Sequence, residues 1–324
     1  MSNLIEQAAK RLEELRRAGV DVDDRAPLRV REQMANATAS TPEATVLALE
    51  ARNALHAKSQ REQGRLPGEG SPLHAEGTPP GRHLDIDFGW LKRGGFVTPE
   101  ALTSKIAEEF RVIKRPIIRN ALGKNGVRVR NGNLVMVTSA VPAEGKTFTS
   151  INLALSMAAE IDSTVLLVDG DVAHPSIPSV LGAPHGPGLL DLLTRDDLDF
   201  TECLVKTNIE KLSLLPAGSR HRRSTELLAS EQMAGLLREI ASRYPDRIII
   251  FDSPPLLATT EARVLASNMG QIIMVVAADS TSQHAVTQAL ATIEGCEVVM
   301  MVLNKASRSD VGAYYGYYPT DERF

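Results

Sequence analysis

Residues 134–151 read LVMVTSAVPAEGKTFTSI. The first six are apolar enough for a strand buried on both faces. A loop ending in Gly145-Lys146-Thr147 follows, and NLALSMAA over 152–159 then has the spacing of an amphipathic helix. Strand, glycine-lysine-threonine loop and helix in that order form a phosphate cradle. The loop's backbone N–H groups and the helix N-terminus face phosphate oxygens. Contacts to a nucleotide are therefore expected from Pro142, Ala143, Glu144, Gly145, Lys146, Thr147 and Phe148. Lys146 is expected at the β- and γ-phosphates and the Thr147 hydroxyl at Mg2+, which makes ATP and Mg2+ the implied ligands. The loop departs from GxxxxGK[ST] at its first position, where Ala140 stands in for glycine. Alanine is small enough for the loop to keep its shape.

Downstream, short apolar runs alternate with helical stretches: VLLVDGD, LSLLPAG, RIIIFDS, QIIMVVAAD and VVMMVLN. Together with residues 134–139 they predict an α/β fold, a mostly parallel sheet with helices on both faces. Two runs end in carboxylates, at Asp169-Gly170-Asp171 and at Asp252. In such a sheet the strand C-termini line the ligand crevice, so these acids should meet the phosphate loop. Thr147, Asp169 and Asp252 are the candidate metal ligands. Asp171 is the candidate base for an attacking hydroxyl. Asn304 ends the last run and is placed to touch adenine; Asn304-Lys305 lacks the Asp of a guanine-reading NKxD, which disfavours GTP.

Upstream, residues 3–18 repeat apolar positions at helical spacing, as either a helix folded back on the domain or a docking helix for a partner. A second helix is predicted over 42–59. Half of the residues in 64–81 are Gly or Pro, a linker composition. The expected organisation is an amphipathic helix at 1–20, a helix and linker over 21–84, a P-loop domain over 85–304 and a tail over 305–324. Thr98-Pro99-Glu100 is expected to open a helix whose apolar stripe is Leu102, Ile106, Phe110, Ile113 and Ile117, with Pro116 ending or kinking it. The tail carries Tyr314, Tyr315, Tyr317 and Tyr318, four of the five tyrosines, in a polar, flexible-reading context. Twenty residues follow Asn304, a reach of roughly 65 Å when extended.

The chain has 324 residues and a net charge of −4, which gives no support for a nucleic-acid partner. Its two cysteines are far apart and predict no disulfide framework, zinc site or iron–sulfur cluster. No apolar run is long enough to span a bilayer, so a cytoplasmic protein is expected, recruited to a membrane by a partner.

SAVPAEGKTFTSINLA, VLLVDGD and IIIFDSPPLL, in that order, resemble the Walker A, A′ and B motifs of the bacterial tyrosine kinases, cytoplasmic autokinases of polysaccharide export. EEFRVIKRP, GLLDLL and TELLAS are most similar to those of exopolysaccharide loci accompanying exosortase systems. The resemblance covers about 98–318. It implies ATP-dependent phosphorylation of the tail tyrosines, between subunits of a ring-like oligomer, and a separate membrane polysaccharide co-polymerase as activator. The family's EX2RX2R interface motif falls on Glu108, Arg111 and Lys114, with Arg115 adjacent and able to substitute. Ala173 and His174 stand where the family has a basic residue after the A′ aspartates. Two other readings share the motifs. A MinD-like ATPase would carry a lysine at Val141, and an ATP-gated scaffold would use the tail only for docking.

Overall fold

A computed structural model describes residues 82–123, 129–244 and 246–306. The predicted helices at 3–18 and 42–59, the linker and the tyrosine tail lie outside these residues. Among the described residues eight strands form one sheet: β1 Arg82–Leu84, β2 Leu134–Ser139, β3 Thr164–Asp169, β4 Val205–Thr207, β5 Leu212–Leu215, β6 Arg247–Asp252, β7 Gln271–Ala277 and β8 Val298–Asn304. Their order is β1-β4-β5-β3-β6-β2-β7-β8. Every pairing is parallel except β4 with β5.

All six expected strands are present, and the apolar runs explain why. Every residue of β2 is buried, and β3 and β6 are buried beyond their first residues. Such strands gain stability only when covered on both faces. On one face Leu134 and Met136 join a core with Met233, Leu237, Ile240 and Leu265. Those residues come from α8 (Glu231–Arg243) and α9 (Thr260–Ala266). The alternate residues point the other way, towards α3 (Lys146–Ala158), which is buried from Thr149 to its end and lies against β2, β3 and β6. The strands β1 and β4 have three residues each, too short to show a pattern. β1 also falls inside 21–84, the segment expected to be a helix and linker, just past its Gly/Pro-rich stretch at 64–81.

The register matters most for function. Asp169 of β3 sits directly beside Asp252 of β6, and Asp252 lies beside Val137 of β2. Three adjacent strands thus end together where the phosphate loop begins.

The helix predicted from Thr98 differs. Pro99–Ala101 forms one 3-10 turn, and Thr98 makes no side-chain cap. The α-helix, α2 (Lys105–Ala121), starts where the Ser104 hydroxyl accepts from the Ala107 N–H. It runs through Pro116 rather than ending there. The N–H that proline lacks would have bonded the carbonyl of Val112, a residue on the exposed side of the helix. Phe110 and Ile117 of the expected stripe are buried, but Leu102 precedes the helix and is exposed.

Candidate phosphoryl-transfer site

The phosphate loop is held from three sides. Ala143 and Gly145 both take left-handed backbone, with φ of 65° and 95°. Gly145 also has no room for a side chain, since a Cβ there would come 2.0 Å from the Asn304 amide nitrogen. That nitrogen donates to the Glu144 carbonyl at 2.9 Å, and the Lys305 ammonium donates to the Ala143 carbonyl at 2.8 Å. The Glu144 carboxylate is buried and accepts from the N–H of Val141 (2.8 Å) and of Ala277 (3.1 Å), and from the Thr281 hydroxyl. The Glu144 side chain turns into the protein and latches the loop to the end of β7. The Asn304 amide nitrogen gives one N–H to the loop backbone. Ala140 is fully buried and is not among the positive-φ residues, so alanine meets no backbone penalty there.

Pro142 and Ala143 lie exposed at the rim, while Lys146 and Thr147 open α3. The half-buried Phe148 ring stacks obliquely on Phe96, with centroids 5.0 Å apart. The Thr147 hydroxyl donates to one Asp252 carboxylate oxygen at 2.6 Å and lies 3.0 Å from the Ser176 hydroxyl. The Ser150 hydroxyl reaches the other Asp252 oxygen at 3.0 Å. Burial pushes the Asp252 carboxyl up to about 6, against the opposing pull of the Thr147 hydroxyl, the Lys146 charge and Ser150. Asp169 is fully buried. One oxygen accepts from the Ile177 N–H at 3.0 Å, and the other has no partner. Burial and the neighbouring Asp252 raise its carboxyl well above the usual range. Asp171 is only half-buried. Burial raises it, while the His174 N–H, 3.1 Å away, and the Lys146 charge lower it.

These groups fit a divalent cation. Two buried carboxyls side by side, one with an orphaned oxygen, are costly to ionise without positive charge. Among the described residues no three His, Cys, Asp or Glu side chains form a ready metal cage. Mg2+ does not need one, because it is usually held by one or two carboxylates plus phosphates and waters. Ser150 and Ser176 were not singled out by sequence. Ser150 lies one helical turn after Lys146, a spacing that would have placed it on the same face.

The oligomer motif divides. Glu108 and Arg115 are exposed, and Arg111 pairs with Glu108 and donates to the Leu102 carbonyl at 3.0 Å. Lys114 is the correction. It is buried inside its own domain, its ammonium 2.6 Å from the Glu160 carboxylate and 2.6 Å from the Ser156 carbonyl. It cannot present its charge to a neighbour. His174 is an exposed loop residue, and its backbone N–H closes the Asp171 turn.

The AAA domain family matches residues 141–304. CapB of Staphylococcus aureus, provisionally named a tyrosine-protein kinase, is 30% identical over 221 residues, covering 67% of this chain and 92% of CapB. The chain belongs to the bacterial tyrosine-protein kinases. The tyrosine-protein kinase YwqD of Bacillus subtilis matches this kinase at 28% identity over 59% of the chain and 79% of YwqD. The crystal structure of the chimerical protein CapA2B2 superposes with a TM-score of 0.57 at 26% identity, covering 71% of this kinase and 95% of the chimera. Among the described residues of the kinase, no helix is long and apolar enough to cross a membrane.

Proposed function

We propose that the chain is an ATP-dependent autokinase that phosphorylates Tyr314, Tyr315, Tyr317 and Tyr318 of another copy of itself. The observation that carries this reading is the convergence of the Thr147 and Ser150 hydroxyls on Asp252, with the Ser176 hydroxyl on Thr147, beside the unpartnered oxygen of Asp169 at the mouth of the phosphate loop. Thr147 and Asp252, with Asp169 behind them, would hold Mg2+, which supplies charge neutralisation for the β- and γ-phosphates. Lys146 and the loop N–H groups bind and orient the triphosphate. Asp171 stands at the same mouth, near enough for the Lys146 charge to act on it. Its carboxylate takes the phenol proton as the tyrosine oxygen bonds to the γ-phosphorus. The bond from that phosphorus to its bridging oxygen breaks, and ADP leaves with the electron pair.

Exposed Glu108 and Arg115 on α2, with Arg111 between them, are the surface on which subunits would assemble. A separate membrane polysaccharide co-polymerase would serve as activator, with exopolysaccharide synthesis or export as the process regulated. Phosphates added to adjacent tyrosines repel one another and the acidic site, which would release the tail and loosen the oligomer.

Mixing separates transfer between subunits from transfer within one. A Lys146→Met chain with its tail intact is incubated with Mg-ATP and an active chain whose four tail tyrosines are Phe. Phosphate on the Lys146→Met chain is the expected result; an unlabelled Lys146→Met chain in the mixture defeats transfer between subunits.

A further inference from the structure

The loop after β5 carries a charge cluster that the site above does not use. Arg220, His221, Arg222 and Arg223 are consecutive and all exposed. None of the three guanidiniums has a carboxylate partner among the described residues. The loop is nevertheless fixed at both ends. At its start the buried Asp191 carboxylate accepts from the Gly188 and Ser219 N–H groups, both at 2.9 Å. At its end the Thr225 hydroxyl donates to Glu261 at 2.6 Å. Glu261 is thereby occupied, and Glu226 is the one exposed acid immediately beside the arginines. Three cations held outward by a braced loop, without internal counter-charges, form a surface for an anion.

The location narrows the anion. β5 runs parallel to β3, with Leu215 beside Val168, so the loop leaves the sheet at the same rim as Asp169 and Asp171. Glu261 is close enough for its charge to reach the Asp171 carboxyl. From β2, where the phosphate loop starts, to β5 is three strand spacings in the order β5-β3-β6-β2, roughly 14 Å. Tyr314 and Tyr318 are four positions apart, roughly 13 Å when extended. The cluster is therefore long enough to keep one tyrosine at the phosphate loop and another at the β5 end of the same rim, from which the arginine loop leaves. A cavity of about 380 Å3 between His185, Asp191 and Ser219 leaves room beside the loop.

We propose that the Arg220–Arg223 loop is a docking site for the first phosphorylated tyrosine of a neighbouring copy's tail, holding that tail while the remaining tyrosines are modified, until repulsion among the accumulated phosphates and the acidic site releases it. The proposal rests on the autokinase reading above. Residues 307–324 hold Asp310, Asp321 and Glu322 against Arg308 and Arg323, so the unmodified tail is nearly neutral. Each phosphate adds about −1.5 to −2 charges and three acceptor oxygens. Arginine forks bind such groups in bidentate fashion, so the first transfer creates the ligand for the loop.

The test has two arms on the full chain. In the first, a synthetic 307–324 peptide, bearing phosphotyrosine at 318 or no phosphate, is titrated into the Lys146→Met chain by fluorescence anisotropy. The phosphopeptide should bind at least tenfold tighter. The difference should vanish when Arg220, Arg222 and Arg223 are all Ala and largely return when all three are Lys. Equal binding of the two peptides, or unchanged phosphopeptide binding by the triple Ala chain, overturns the proposal. In the second arm, intact mass follows phosphates per chain over time with Mg-ATP. The triple Ala change should lower the ratio of later to first additions at least fivefold; an unchanged ratio overturns docking. If the unaltered chain gains no phosphate, the autokinase reading fails, while the peptide arm still reports on the loop. Loss of binding to phosphatidylserine vesicles by the triple Ala chain, with phosphopeptide affinity intact, also overturns the proposal, in favour of a membrane surface.

Discussion

Asp252 carries the conflict between stability and function in one side chain. It is buried, its carboxyl is raised to about 6, and two hydroxyls donate to it. A carboxyl raised in the folded state stabilises folding fully below its unfolded value near 4, and that contribution is lost as pH rises through about 6. At pH 7.5 without metal the group is therefore a burden. Asp252→Asn should raise the stability of the Mg2+-free chain by about 1–2 kcal/mol at pH 7.5, with no gain at pH 4, while phosphoryl transfer is lost. Thermal melts at the two pH values check it; a lower melting temperature at pH 7.5 would contradict it. Asp171 has a different burden. Asp171→Asn should keep nucleotide affinity and slow transfer by about 100-fold or more, the usual cost of a lost general base; full-rate transfer would remove it from the role. Ala143 holds a φ of 65° that glycine tolerates freely. Ala143→Gly should stabilise the chain by roughly 0.5–1 kcal/mol in denaturant titration.

At the scale of elements, α2 separates two adjacent basic residues with different jobs. Lys114 is buried and tied to Glu160 and Ser156 of the α3 region, whereas Arg115 is exposed. Lys114→Met should cost about 1–3 kcal/mol of stability, because the Ser156 carbonyl loses its lysine donor and the pair with Glu160 is broken. Arg115→Glu should change stability by no more than about 0.5 kcal/mol and weaken self-association in a sizing experiment. Equal melting temperatures for the two variants would contradict this division. The α2 sequence alone could not make it. Its apolar spacing located a helix, but which side of Lys114 faces Glu160 depends on how α2 meets α3, a contact between segments 42 residues apart. The same limit applied to Pro116, whose cost depends on whether the facing carbonyl can reach water.

Across the whole molecule, what was legible followed from local pattern. Strands buried on both faces are written as unbroken apolar runs, so β2, β3, β5, β6 and β7 could be read; β8 has the same apolar spelling but ends the sheet order, with Met301 and Leu303 exposed rather than buried. Their parallel order brings the strand-end acids to the glycine-lysine-threonine loop, and the register of Asp169 with Asp252 realises it. The supports of the site were hidden. Glu144 bonds to Ala277 and Thr281, and Asn304 to Glu144, across more than 130 residues, and nothing in either segment marks the pairing. Ser176 reaches Thr147 only because the loop after β3 folds back.

The account stands on phosphoryl transfer from this site to the tail. Intact-mass spectrometry and peptide mapping of the full chain after incubation with Mg-ATP tests that most directly. Phosphate confined to Tyr314, Tyr315, Tyr317 and Tyr318, and absent from the Lys146→Met chain, is the predicted result. Modification that persists without Lys146, or that spares all four tail tyrosines, would contradict it.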